Sequence, residues 1–207
     1  MLAAVLRLVV AALVVAAIVA TLVGVWPVNP FDFFGYFTIQ SNVIGAAVAL
    51  VGAVRVLRGT PASPTWVVVR WSTATYLLVV GVVFWTLLAP LDGAGGVPLL
   101  WANLVLHALT PVAALVDLVL VHDRRPAPAA LPLVLAYPLI WTAVVLVRGA
   151  TDGWVPYPFL NPSQGYGVVA AWSVLVAGVF TGAAALLRFG LRPAPVHHAV
   201  ASVRTGG

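Results

Sequence analysis

Six apolar runs of about 20 residues follow one another along the chain, separated by short breaks that carry proline, glycine and aspartate. A run of that length crosses a hydrocarbon core about 30 Å thick when it is helical. The pattern predicts spans over Leu2–Val25, Phe31–Leu57, Trp66–Leu88, Pro98–Val121, Leu131–Val147 and Gly165–Leu187. The fold class is therefore all-α, a polytopic bundle of six transmembrane helices. No long polar block intervenes, so residues 1–192 form one domain. Residues 193–207, with Pro193, Pro195, His197, His198 and two terminal glycines, read as a disordered cytoplasmic tail whose histidines are solvated. The first run resembles a secretory signal in that Arg7 precedes it. It is about 18 residues long beyond Arg7 and ends in Trp26-Pro27, not in a small-residue cleavage site, so it stays a span.

Composition agrees with this pattern. Of the 207 residues, 63% are hydrophobic and 7% charged, against about 25% charged in a soluble domain. The chain has no cysteine, lysine or glutamate, which removes disulfides, thiol redox chemistry and thiolate metal sites. Its net charge of +5 does not point to nucleic acid, because the arginines are dispersed along the chain. Arg7, Arg55, Arg58, Arg70, Arg124, Arg125, Arg188, Arg192 and Arg204 flank the N-terminus, the second and fourth connections and the tail, and Arg148 falls on the opposite side. Positive charge is retained inside, which places both termini in the cytoplasm. A plasma membrane, in a bacterium the inner one, is the expected location. The opposite connections carry Asp32, Asp92 and Asp152, with Trp26, Trp101, Trp154, Tyr157 and Tyr166 as interfacial rings.

Against this apolar background the polar residues inside the spans are informative. On the fourth span Asn103, His107, Thr110 and Asp117 stand at offsets 0, 4, 7 and 14, one stripe at about 100° per residue. On the second, Thr38, Ser41, Asn42 and Gly45 stand at 0, 3, 4 and 7, while Gln40 points away. Thr38 lies roughly 10 Å below Phe31, and Asn103 and His107 roughly 8 and 14 Å below Pro98. If these two spans are neighbours, Thr38, Asn42, Asn103 and His107 converge in the outer half of the membrane.

An ionisable side chain at that depth needs a partner or a function. A threonine hydroxyl becomes a nucleophile when a base takes its proton, and a neutral imidazole is such a base. Asn42 or Asn103 is placed to donate to an oxyanion, with Ser41 and Thr110 supporting the pocket. Asp117 is about 15 Å further along the axis and cannot complete a triad with His107, so a dyad is expected, supported by an amide or by a tyrosine from another span. The blander interpretation is that threonine bonds back to its own helix while Asn and His bond across helices, for about 0.6 kcal/mol each. No metal site is expected, because His107 lacks Cys or Glu partners at its depth, and no organic cofactor is needed. Asp117 is expected near Arg124 and Arg125, in an ion pair or in water, with His122 and Asp123 at a solvated helix end.

The remaining features read as structure. Pro111 and Pro138 predict kinks, and Gly178 and Gly182 a close helix contact. Tyr137, Trp141 and Thr142 are candidates to line a pocket, with core packing as the plainer reading. The connection Gly153–Tyr166 is aromatic and proline-rich, and is expected to fold back over the outer end of the bundle as a lid or an interfacial segment.

Three segments together, YFTIQSN (Tyr36–Asn42), NLVLH (Asn103–His107) and GWVPYPFLNP (Gly153–Pro162), resemble the androgen-induced-gene family of six-span membrane proteins and its bacterial relatives. The resemblance implies a threonine hydrolase acting on fatty acid esters of hydroxy fatty acids, with Thr38 as nucleophile and His107 as base. Its partners would be an acyl ester substrate and membrane lipids. The alternative function is a lipid-binding or transport protein without catalysis, in which the same polar cluster recognises a head group or passes protons.

Overall fold

The computed structural model describes residues 1–91, 97–120 and 125–190. Asp92, His122, Asp123, Arg124, Arg192, Arg204 and the tail histidines His197 and His198 lie outside the described residues. Among the described residues the chain is all-helical, and six helices are long and apolar enough to cross a membrane: Leu2–Gly24, Phe37–Leu57, Pro64–Leu88, Leu100–Leu120, Pro128–Thr151 and Tyr166–Gly190. It is a multi-pass membrane protein.

In chain order the elements are α1 (Leu2–Gly24), the single turn α2 (Pro30–Phe33), α3 (Phe37–Leu57), α4 (Pro64–Val83), α5 (Leu100–Leu104), α6 (Thr110–Leu120), α7 (Leu131–Thr151) and α8 (Tyr166–Gly190). A π-helical turn, Phe84–Leu88, extends α4, and a second, Val105–Leu109, joins α5 to α6. Helix α3 packs between α1 and α4, α4 also packs on α6 and α8, and α8 packs on α7.

The start of the second span differs from the expected Phe31. Asn29 caps its own short turn by accepting from the Phe31 N–H, with Pro30 in the first position. The chain then breaks, with Tyr36 extended, and restarts at Phe37. The carbonyls of Phe34 and Gly35, which would otherwise continue a helix, accept from Gln40 Nε2 at 2.8 Å and Trp141 Nε1 at 2.8 Å. Hydropathy is continuous across this break, so the pattern alone does not mark it. In consequence Thr38 stands in the first turn of α3, not two turns into a longer helix.

Lipid tails are as apolar as leucine, so helices associate here through close packing and polar stitches. On α1 the buried positions Ala4, Arg7, Ala11, Val14, Ala17, Ile18 and Thr21 form one face, packed on α3 with Ala46 and Gly52 among the contacts. A β-carbon at Gly52 would sit 3.2 Å from Arg7 Nη1, and the Gly52 carbonyl accepts from that nitrogen at 2.8 Å. Across α4 and α8, the fully buried Trp71 donates Nε1–H to the Ala184 carbonyl at 3.1 Å. Gly178 and Gly182 are exposed, and among the described residues a β-carbon at either would meet nothing within 4 Å, so their spacing serves no helix packing there.

The buried side chains separate into two clusters. One joins Phe37 to α4, α7, α8 and the α7–α8 connection, and the other joins Ile39 to α1, Phe33 and α5. Thr38 lies between these two residues in sequence, on the polar seam where the clusters meet.

At the other end of the bundle Asp117 binds two arginines from other helices: Arg7 at 2.7 and 3.1 Å and Arg70 at 2.6 Å. Both arginines are buried. Of the expected neighbours, Arg124 lies outside the described residues and Arg125 donates to the Phe189 carbonyl at 3.0 Å, while Arg7 and Arg70 lie inside the bundle instead of flanking it. Arg148, the positive charge at the lid end, is held by Asp32 at 2.6 Å and Asp152 at 2.8 Å and lies 4.2 Å over the Trp154 ring. The Trp154 N–H, and after it Arg148, holds the Asp152 carboxyl below the usual carboxylate range.

Candidate functional site

Thr38 and His107 meet across the interface of the second and fourth spans. Thr38 Oγ1 lies 3.3 Å from His107 Nε2, with Thr38 6% and His107 1% exposed. The other ring nitrogen, Nδ1, faces two oxygens of Asn103: the backbone carbonyl at 3.2 Å and Oδ1 at 2.5 Å. Two acceptors require Nδ1 to carry the proton, which leaves Nε2 unprotonated and able to accept from the threonine hydroxyl. Asn103 therefore orients His107 from one turn earlier on the same span.

The backbone around His107 is adapted to this position. Pro111 has no N–H to return to the His107 carbonyl, and a kink is expected there. The helix absorbs the lost bond in the π-turn Val105–Leu109, where Thr110 Oγ1 donates to the Val105 carbonyl at 2.7 Å. Trp85, from the other π-turn, donates Nε1–H to the His107 carbonyl at 3.1 Å. The Phe84 ring stacks on the imidazole, 3.8 Å between centroids and 20° between planes. Gly81 makes this approach feasible: a β-carbon there would lie 3.0 Å from the His107 carbonyl oxygen and 3.2 Å from Pro111 Cγ.

The other candidates fall into different roles. Asn42 is fully buried, and its Nδ2 donates to the carbonyls of Thr38 at 2.9 Å and Leu106 at 3.2 Å, so it joins α3 to the fourth span without facing the threonine hydroxyl. Ser41 is buried one turn below Thr38 and bonds neither Thr38 nor His107. Thr110 is held by its own backbone. Gln40 points away as expected, accepting from the Tyr137 hydroxyl at 2.9 Å.

The comparisons with known proteins return no matching family model, no matching curated protein and no matching solved structure. The chemistry of this site is therefore argued from its own geometry.

One residue near Thr38 was expected elsewhere. Tyr157, read as an interfacial ring, is 6% exposed, and its hydroxyl lies 3.4 Å from both Thr38 Oγ1 and Thr38 N. It arrives on the α7–α8 connection, which does fold back over the site. Gly153 at φ 77° and Gly165 at φ 88° turn the chain at its two ends, in a region that L side chains rarely adopt. Tyr157 packs edge-on against Tyr36 and stacks on Phe159. Burial pushes its hydroxyl up to about 12, above the ordinary tyrosine value near 10.

Thr38 and Tyr157 also border an apolar cavity between α4, α7, α8 and the connection, walled by Val80, Leu135, Trp141, Val176 and Phe180. Thr142 and Ser173 line it too, each bonded back to its own helix. Leu139 lines the same cavity and is 56% exposed, so the cavity reaches the lipid-facing surface.

Proposed function

We propose that this chain is a membrane-embedded ester hydrolase that uses Thr38 as nucleophile and His107 as general base. The reading rests above all on one observation: a threonine hydroxyl bonded to an imidazole, whose far nitrogen is held by Asn103, at the edge of an apolar cavity. In this mechanism His107 Nε2 accepts the Thr38 proton as Oγ1 attacks the ester carbonyl. The imidazolium then gives the proton to the departing alkoxide, leaving an acyl group on Thr38. Water activated by the same nitrogen releases the carboxylic acid and restores the threonine. Asn103 keeps the ring in one tautomer throughout, the role a carboxylate or amide takes in other triads.

The cavity that reaches the surface at Leu139 suits a long acyl chain admitted sideways from the bilayer. This reading fits a member of the androgen-induced-gene family, with fatty acid esters of hydroxy fatty acids as the substrate class. The arginine distribution supports cytoplasmic termini, and the proposed location is a plasma membrane, in a bacterium the inner one. The site then lies in the outer half of the bilayer.

The test is covalent labelling of detergent-purified protein with a fluorophosphonate, with intact mass and site mapping, in the parent, Thr38→Ala and His107→Ala. A single adduct on Thr38, lost in both variants, supports the reading. Absence of an adduct on folded parent protein overturns it in favour of a lipid-binding or transport role.

A further inference from the structure

Within the hydrolase reading, the attacked carbonyl oxygen needs a hydrogen-bond donor as its negative charge develops. The two amides that the sequence offers are otherwise engaged. Asn42 donates to two backbone carbonyls, and Asn103 is turned toward His107 Nδ1. Among the described residues, the side-chain atoms hydrogen-bonded to Thr38 Oγ1 are His107 Nε2 and the Tyr157 hydroxyl. His107 is assigned to proton transfer, which leaves Tyr157.

We propose that Tyr157 is a third catalytic group, whose hydroxyl, together with the Thr38 backbone N–H, binds the oxyanion of the tetrahedral adduct formed on Thr38. This rests on the hydrolase reading and extends it. At rest the phenol oxygen accepts from the Thr38 N–H, 3.4 Å away. That N–H belongs to the first turn of α3, where backbone donors have no partner within the helix and the helix dipole favours negative charge. An oxyanion two bonds beyond Oγ1, on the former carbonyl carbon, comes within reach of both donors, replacing the long Thr38–Tyr157 contact with two shorter ones. The phenol also keeps its proton at neutral pH, since burial holds it well above the ordinary tyrosine range. Tyr36 and Phe159 fix the ring, so little reorganisation accompanies the reaction.

The experiment measures hydrolysis of para-nitrophenyl octanoate by the full chain in detergent micelles. It compares the parent with Tyr157→Phe, Thr38→Ala, His107→Ala and the exposed control Tyr166→Phe. Tyr157→Phe is expected to lower kcat by about 100-fold or more, the effect of removing one oxyanion donor, with KM within about threefold and the acid limb of the pH profile unmoved. Tyr166→Phe retains parental rates. A Tyr157→3-fluorotyrosine protein, which keeps the hydroxyl and nearly the same volume, recovers kcat to within about tenfold of the parent, separating loss of the donor from loss of packing.

A Tyr157→Phe kcat within threefold of the parent overturns the proposal. So does a variant whose main change is in KM or in the acid limb, because Tyr157 would then only pack the lid. If turnover disappears in Thr38→Ala and His107→Ala but survives in Tyr157→Phe, the hydrolase reading stands and this inference alone fails. Turnover that is absent from the parent, or that persists in Thr38→Ala, overturns both.

Discussion

The indole N–H of Trp85 donates to the backbone carbonyl of His107 at 3.1 Å, taking the place of the bond that Pro111 cannot form. Two π-turns thereby face each other, one carrying the donor and the other the histidine. Trp85→Phe keeps most of the ring and leaves that carbonyl unpaired, a loss of about 1–3 kcal/mol. We expect a lower thermal unfolding temperature in detergent, together with reduced fluorophosphonate labelling of Thr38. Gly81→Ala is expected to act in the same direction, since its methyl group would press on the His107 carbonyl and on Pro111. Labelling of both variants at the parental rate would show that the histidine is positioned by other contacts.

Asn103→Ala removes one of the two oxygens that hold His107 Nδ1 and leaves the backbone carbonyl. The ring keeps a partner but becomes freer to turn. The expected result is a fall in kcat of about 100-fold, the scale of a misplaced catalytic group, with unfolding temperature little changed. A steady-state assay beside a melting curve separates the two effects, and an unchanged kcat would remove Asn103 from the mechanism.

Asp117 holds Arg7 and Arg70 within the bundle, and so ties together α1, α4 and α6. Asp117→Ala takes away a carboxylate shared by two buried guanidiniums, a change on the order of 3 kcal/mol or more. Asp117→Asn is expected to be milder, as it keeps hydrogen-bonding capacity. For a hydrolase the folded fraction of either variant retains parental turnover. Intact folding with abolished proton or solute movement in a liposome flux assay would instead favour the transport alternative.

Alkaline conditions report on Tyr157. Its hydroxyl titrates near 10 in the unfolded chain and near 12 when folded, because burial disfavours the phenolate. The stability this difference contributes is fully present below pH 10 and is lost as pH rises toward 12. Melting curves between pH 8 and 12 are expected to fall more steeply for the parent than for Tyr157→Phe. Parallel slopes would mean that the tyrosine does not titrate with folding.

Periodicity made much of this legible. At about 100° per residue it placed Thr38 and Asn42 on one face and Asn103 and His107 on another, and the structure brings Thr38 against His107 with Asn103 behind it. Periodicity does not say which way a hydroxyl or an amide turns, so it puts Thr110 and Asn42 on the correct stripe without showing that both donate to backbone carbonyls. Tyr157 was not identifiable this way, since an irregular connection turned by two glycines carries it to Thr38. Nor was the break before Phe37, which depends on Trp141 and Gln40 capturing two carbonyls. The topology rule reads Arg7 and Arg70 as flanking charges, because it counts arginines without regard to buried partners such as Asp117.

Trp141 lines the apolar cavity beside Thr38 and also the polar cleft formed by Asn29, Gln40, Arg148 and Asp152. Its indole is anchored to Gly35 and stands between an apolar space on one side and one bordered by charged and amide side chains on the other. A lipid hydrolase must bring together two reactants that do not mix, one dissolved in the bilayer and the other being the solvent outside it. Under the hydrolase reading proposed above, the partition between those two phases in this chain is one aromatic ring thick.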